Sequence, residues 1–339
     1  MKKRIVIAGA LLLVLAAAVA AAPETGEKKM SKKAAKLMTK ALEAIQAKQA
    51  DQAIELLRQV IPLEPENAMV RHNLGVMLHQ KGQVDEALAS FEEALRLQPD
   101  YPHAQLAMRQ TLYEAGKAAS GKKEFDKANT YLLKLDAMPV PPGENKALRP
   151  AVCYLLGYNF FNLKQNDKAG EYFAKCQAVE NLETDYRELY ANATYFLGMI
   201  EHIEGAYAKS SENFRKYLAL YAAGDPKPEF FSHANFFIGA NLFRLLEAKV
   251  TKGEMEGVTE ATAEIMPYLE KAIADKIPSE DPYVMLGNCY VYRKEVDKAI
   301  QTYQALIDAF PQSAQLQSYK TFLGELQKSQ PKEKTKKKR

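Results

Sequence analysis

The chain has no tryptophan and only three cysteines, Cys153, Cys176 and Cys289. So few thiols exclude a small disulfide-stapled fold, and their odd number leaves at least one outside any bridge within a monomer. Glycine (17) and proline (16) stand at ordinary usage in 339 residues, which excludes collagen-like, low-complexity and mainly disordered chains. A net charge of +4 is too small to point to nucleic acid as a partner. Catalytic motifs are missing as well: the sequence holds no Gly-x-Ser-x-Gly, no Gly-Lys-Ser/Thr phosphate loop, no His-Glu-x-x-His and no Cys-x-x-Cys-His. What is left, 47% hydrophobic and 26% charged, is a globular chain with a sizeable core, built as about two domains or one long repeat array.

Long apolar runs are absent except at the start. Lys2, Lys3 and Arg4 precede an apolar stretch from Ile5 to Val19, followed by Ala20, Ala21 and Ala22. A positive segment, an apolar segment and small residues at the cleavage positions predict a signal peptide over 1–21, cut after Ala20 or Ala21, and hence an exported, periplasmic protein. The stretch is also near the lower length limit for a membrane span, so the alternative is an uncleaved anchor in the inner membrane. Charge is uneven along the rest. Residues 22–40 carry +4, residues 328–339 carry +6, and residues 41–327 carry −9. A basic linker over 22–33 and a disordered Lys-rich tail over 329–339 are expected, because blocks of like charge repel. The tail is read first as a solubilising end. The other reading is weak adhesion of the basic ends to an anionic membrane surface, worth about 1 kcal/mol per Lys or Arg.

Between 34 and 328 apolar residues recur at i, i+3, i+4 and i+7, which predicts helix nearly throughout. The pattern repeats. Leu-Gly or Ile-Gly stands at Leu74-Gly75, Leu156-Gly157, Leu197-Gly198, Ile238-Gly239 and Leu286-Gly287, with a weaker Ala115-Gly116. Glycines 75, 116, 157, 198 and 239 are 41 residues apart. Asp-x-Ala opens second helices at Asp51, Asp85, Asp126, Asp167 and Asp297, acids set against the positive end of the helix dipole. Four residues past each alanine comes a large side chain: Leu57, Phe91, Leu132, Phe173 and Tyr303, with Ser210 and Phe214 as a weaker copy. Glycine permits two helices to approach closely, and the large residue is expected to fill the space toward the next pair. An isolated pair cannot bury its apolar surface, so the pairs must stack.

Residues 68–101, with Leu74, Gly75, Leu78, Ala87, Phe91 and Pro99, resemble the tetratricopeptide repeat. So do residues 280–313, through Tyr283, Leu286, Gly287, Tyr290, Ala299, Tyr303 and Pro311, and residues 150–183 through Leu156, Gly157, Phe160, Ala169 and Phe173. Residues 34–67 and 191–224 match in part, and the copies near 103–140 and 232–279 diverge. The resemblance implies an all-α fold, a right-handed α-solenoid of about seven stacked antiparallel helix pairs over 34–328. The Trp of the family pattern is replaced by Arg71, Cys153, Thr194, Asn235 or Tyr283. The 41-residue spacing exceeds the family's 34. The extra residues are expected to lengthen the first helix near 102–119 and to form loops after Leu220 and between Val250 and Glu260. A capping helix is expected over 314–327, with Leu316, Tyr319, Leu323 and Leu326 on its apolar side.

In the resembled family the first helices line a concave surface that holds peptides or partner helices. The matching positions are Tyr154, Tyr158 and Phe161; Tyr195, Met199 and His202; Phe236 and Phe243; and Asn288 and Tyr292. Aromatics at helical spacing suit a recognition stripe or a core between repeats equally. The resemblance thus implies a non-enzymatic scaffold that binds a protein or peptide partner in the cell envelope, without cofactor or metal. The alternative is a small apolar ligand held in the aromatic groove. The Lys, Asn and Arg of a two-carboxylate clamp do not occur together at these positions. His72 and His79 share a helix face, and His103 could join them at a zinc ion, although lining of a polar groove is the plainer expectation. Cys153 and Cys176 are expected on neighbouring helices, either as small buried residues or as a disulfide.

Overall fold

A computed structural model describes residues 30–221 and 225–330. The expected signal peptide, most of the linker 22–33 and most of the tail 329–339 lie outside the described residues. Within the described residues every regular element is a helix, and no helix is long and apolar enough to cross a membrane.

The chain forms two compact units that meet at residue 159 in the sequence. The first holds α1 (Lys32–Gln46), α2 (Ala50–Val60), α3 (Ala68–Gln80), α4 (Val84–Leu97), α5 (Pro102–Gly121), α6 (Phe125–Ala137) and most of α7 (Leu148–Asn162). Here α1 packs on α2, α3 on α4 and α5 on α6, and each pair stacks on the next. The second unit holds α8 (Asn166–Gln177), a single turn α9 (Leu182–Asp185), α10 (Arg187–Ile203), α11 (Tyr207–Ala219), α12 (Phe231–Thr251), α13 (Val258–Ala274), α14 (Asp281–Tyr292), α15 (Val296–Ala309) and α16 (Leu316–Ser329). Its pairs are α10/α11, α12/α13 and α14/α15, with α16 closing over α15. In chain order α7 and α8 stand where a seventh pair belongs. As expected, α5 is lengthened, to 20 residues. The polar insertion after α12 is shorter than expected, because α12 continues to Thr251 and α13 starts at Val258.

Each first helix ends in the same way. A residue in the left-handed region follows it: Lys48, Gly82, Lys123, Lys164, Gly205, Gly253 and Lys294. After α3, the Gly82 N–H donates to the His79 carbonyl and the Gln83 N–H to the Leu78 carbonyl, both at 2.9 Å. After α14, Lys294 and Glu295 repeat this on Val291 and Tyr290. These paired bonds satisfy the last carbonyls of the helix and reverse the chain within two or three residues. The next helix then opens on its Asp, as at Asp51, Asp85, Asp126, Asp167 and Asp297.

The glycines have a different partner from the expected one. A methyl group added at Gly75 would lie 2.6 Å from the Phe91 ring, at Gly116 2.6 Å from Leu132, at Gly198 3.1 Å from Phe214 and at Gly287 2.5 Å from Tyr303. The large side chain of each second helix therefore fills the hollow over the glycine of its own pair, not the space to the next pair. In α12/α13 the glycine lies farther from its partner in sequence: Gly239 faces Tyr268 and Leu269. The longer α12 and the turn after it add the difference. Gly287→Ala is expected to destabilise the second unit by about 1–3 kcal/mol. The Tyr303 ring cannot swing clear, since its hydroxyl donates to Asn288 Oδ1 at 2.8 Å. Gly324→Ala in α16, with nothing within 4 Å, is the control and should be neutral or mildly stabilising in the same thermal melts.

Two buried asparagines add directional bonds to this packing. In the first unit Asn159, wholly buried, accepts from Ser120 Oγ at 2.6 Å and donates to Asn129 Oδ1 at 2.9 Å, joining α7 to α5 and α6. In the second unit Asn241, 82 residues later, does the same for α12, α10 and α11. Such networks are favourable only when each member is satisfied, so they fix one register between neighbouring pairs.

Candidate functional site

The ten expected recognition residues divide by burial. Tyr195, Phe236 and Phe243 are 5%, 8% and 2% exposed, and this corrects their assignment to a groove: they are core. Tyr195 stacks on Phe230 with ring centroids 4.6 Å apart and meets Phe196, Phe214 and Tyr217 edge-on or tilted at 5.4–5.6 Å. Burial pushes its phenol pKa well above the usual range. Phe243 stacks on Tyr292 at 6.4 Å. Phe236 joins the cluster of Ala240, Ile265 and Leu269. A charge placed at Phe236 would report on folding and not on recognition.

The other seven are half-buried. In the first unit Tyr154 and Tyr158 stack at 6.3 Å, with Phe125 edge-on to Tyr158. In the second, Phe161 meets Phe196 edge-on at 5.2 Å, Asn288 accepts the Tyr303 hydroxyl, and Met199 and His202 stand along α10.

His202 is the best-defined of these. It occupies the wall of an open depression of about 640 Å³ with Tyr207, Arg244, Glu247, Ala248, Thr251 and Lys252. Hydrogen bonding fixes its tautomer. Ser210 gives its only hydroxyl proton to the Gly198 carbonyl at 2.7 Å. Its oxygen therefore accepts from Asn241 Nδ2 at 2.8 Å, and Asn241 turns its carbonyl oxygen to His202 Nδ1 at 2.5 Å. In the neutral ring Nδ1 therefore carries the proton and Nε2 the lone pair. Phe237 stands edge-on to the ring at 4.9 Å. Arg244 Nη1 donates to Glu247 Oε2 at 2.9 Å.

Arg244, Glu247, Ala248, Thr251 and Lys252 escaped the sequence argument, which followed aromatics. A signal was present: they recur at i, i+3, i+4, i+7 and i+8, which puts four polar residues and Ala248 on one face of the helix.

The three histidines do not converge. His79 Nε2 pairs with Glu114 at 3.1 Å, while His72 and His103 lie with ring centroids 6.5 Å apart. Among the described residues no group of three His, Cys, Asp or Glu side chains could hold a metal ion. His72 also corrects the groove expectation, since it is 5% exposed among Phe91, Tyr101 and His103. Burial, with a smaller effect from His103, lowers its pKa to about 4. The hydrogen bond from His79 holds the Glu114 carboxyl below its ordinary pKa. All three cysteines are buried, and burial pushes the Cys289 thiol up to about 12, so it stays protonated and inert at neutral pH.

Models of the tetratricopeptide repeat match residues 38–102, 78–131, 150–181 and 283–313, over the helix pairs described above. The chain belongs to the tetratricopeptide-repeat family. Among solved structures, this tetratricopeptide-repeat chain is similar to the C-terminal part of a TPR repeat-containing protein from Cytophaga hutchinsonii. Identity there is 14% over 83% of this chain and 98% of that one, with a TM-score of 0.44. It is similar also to YrrB, described as a TPR protein with an unusual peptide-binding site (22% identity, 68% and 96% of the two chains, TM-score 0.37). A third is the Cut9–Hcn1 assembly of the APC/C (11% identity, 84% of this chain, TM-score 0.42), of whose matched chain it spans about half, 48%. No curated protein matches it.

Proposed function

We propose that this chain is a non-catalytic scaffold of the cell envelope that binds a peptide or a partner helix on the surface of its first helices. The depression around His202 carries this reading. It is open, it lies between α10 and α12, and its His202 ring is held in place by the buried Asn241–Ser210 bonds before any partner arrives. Preorganised polar groups lower the ordering cost of binding. Export rests on the residues 1–22 of the sequence. A mature N-terminus at Ala21 or Ala22 on the exported protein supports it, and an intact Met1 end points to the anchored alternative.

The second reading, a small apolar ligand, has less to support it. The rings that would enclose such a ligand, Tyr195, Phe236 and Phe243, are already packed in the core, and the open depression is lined by charged groups. The test is selection of a displayed random-peptide library on the immobilised chain. Micromolar binders are expected, lost in Ala248→Trp, where an exposed small residue lines the depression, with unchanged far-UV circular dichroism. No enrichment, or binders indifferent to that change, would sink the proposal. Mass spectrometry of an organic extract revealing a stoichiometric small molecule would favour the second reading.

A further inference from the structure

We infer that the depression between α10 and α12 selects an acidic residue in the bound peptide, taking its carboxylate on Arg244 and Lys252 and a neighbouring backbone N–H on His202 Nε2. This rests on the peptide-binding reading and names the chemistry of its ligand. Two cations line the depression against one carboxylate, Glu247, and that carboxylate is already engaged by a single Arg244 nitrogen. Arg244 keeps further donors, and among the described residues no carboxylate lies within ion-pair distance of Lys252. The lining carries a net positive charge, whereas residues 41–327 as a whole sum to −9.

His202 sets the second requirement. With Nδ1 donating to Asn241, the neutral ring has only an acceptor, Nε2, left to offer a ligand. A ligand must then bring an anion and, beside it, a hydrogen-bond donor. A peptide chain supplies both, through an Asp or Glu side chain and an adjacent amide. The preferred segment accordingly carries an acidic residue beside a free backbone amide.

The experiment uses the full chain, immobilised, and three peptide pools that share the same randomised flanks and differ only at the centre: Asp/Glu, Asn/Gln or Lys. The acidic pool should bind about tenfold more tightly than the amide pool, as one charge-assisted contact pair implies. Arg244→Gln with Lys252→Gln should abolish that difference. Lys252→Gln alone, on an exposed side chain at the end of α12, should lower acidic-pool affinity about threefold with no loss of stability, which keeps the test open if the double variant unfolds. Peptides that bind without an acidic preference, or prefer Lys, overturn this inference and leave peptide binding standing. Binding by none of the pools overturns both.

Discussion

Arg109→Met is expected to destabilise the first unit by about 3–5 kcal/mol, read as a fall in the urea midpoint followed by circular dichroism. Arg109 lies on α5 and is 4% exposed. Its Nε and Nη2 grip both oxygens of Glu144, whose side chain is 6% exposed. Its Nη1 donates to the carbonyls of Leu135, Met138 and Pro139 at 3.1, 2.9 and 3.3 Å. One guanidinium thus caps the end of α6 and fastens the Pro-rich segment that follows it to α5. Methionine fills the space of the stem but leaves a carboxylate buried without its cation. Adding Glu144→Gln should recover the part due to that charge and not the part due to the carbonyls. Lysine cannot form the fork, so Arg109→Lys should also be costly. A loss below about 1 kcal/mol for Arg109→Met would show that the pair contributes little.

Acid should weaken the first unit through His72. Its folded pKa of about 4 lies below the ordinary 6.5, so the unfolded chain binds a proton at higher pH than the folded one. The stabilisation is complete above about pH 6.5 and is lost as pH falls toward 4, amounting to about 3 kcal/mol across the window. Other groups titrate nearby: Glu114 is held low by His79, and burial raises Glu201, which acts in the opposite sense. The difference between the parent and His72→Phe removes them. The parent curve should fall and the variant's should stay flatter between pH 6.5 and 4. Parallel curves would mean that His72 is solvated in the fold.

The helix pairs were legible because their signals are local. The spacing from glycine to knob is the same in Gly75/Phe91, Gly116/Leu132, Gly198/Phe214 and Gly287/Tyr303, and the helical period places both residues on facing sides. In α12/α13 an elongated helix and its turn broke that spacing, so the copy looked divergent although Gly239 receives Leu269 in the same manner. Arg109 was illegible for the opposite reason. A lone arginine on a helix reads as solvated, and its partner Glu144 stands 35 residues on, past three prolines.

The recognition stripe shows where the boundary falls. Tyr195, Met199 and His202 share one face of α10 by helical period alone, and the sequence by itself determined that face, the repeat and the acid that opens most second helices. Only the tertiary structure decided which of the three is covered. Phe230, from the segment before α12, lies flat on Tyr195, while Asn241 reaches His202 only at one edge and leaves Met199 half-buried. Periodicity specifies direction around a helix axis. Burial depends on what a distant segment lays over that direction, and this requires the stacked pairs to exist first.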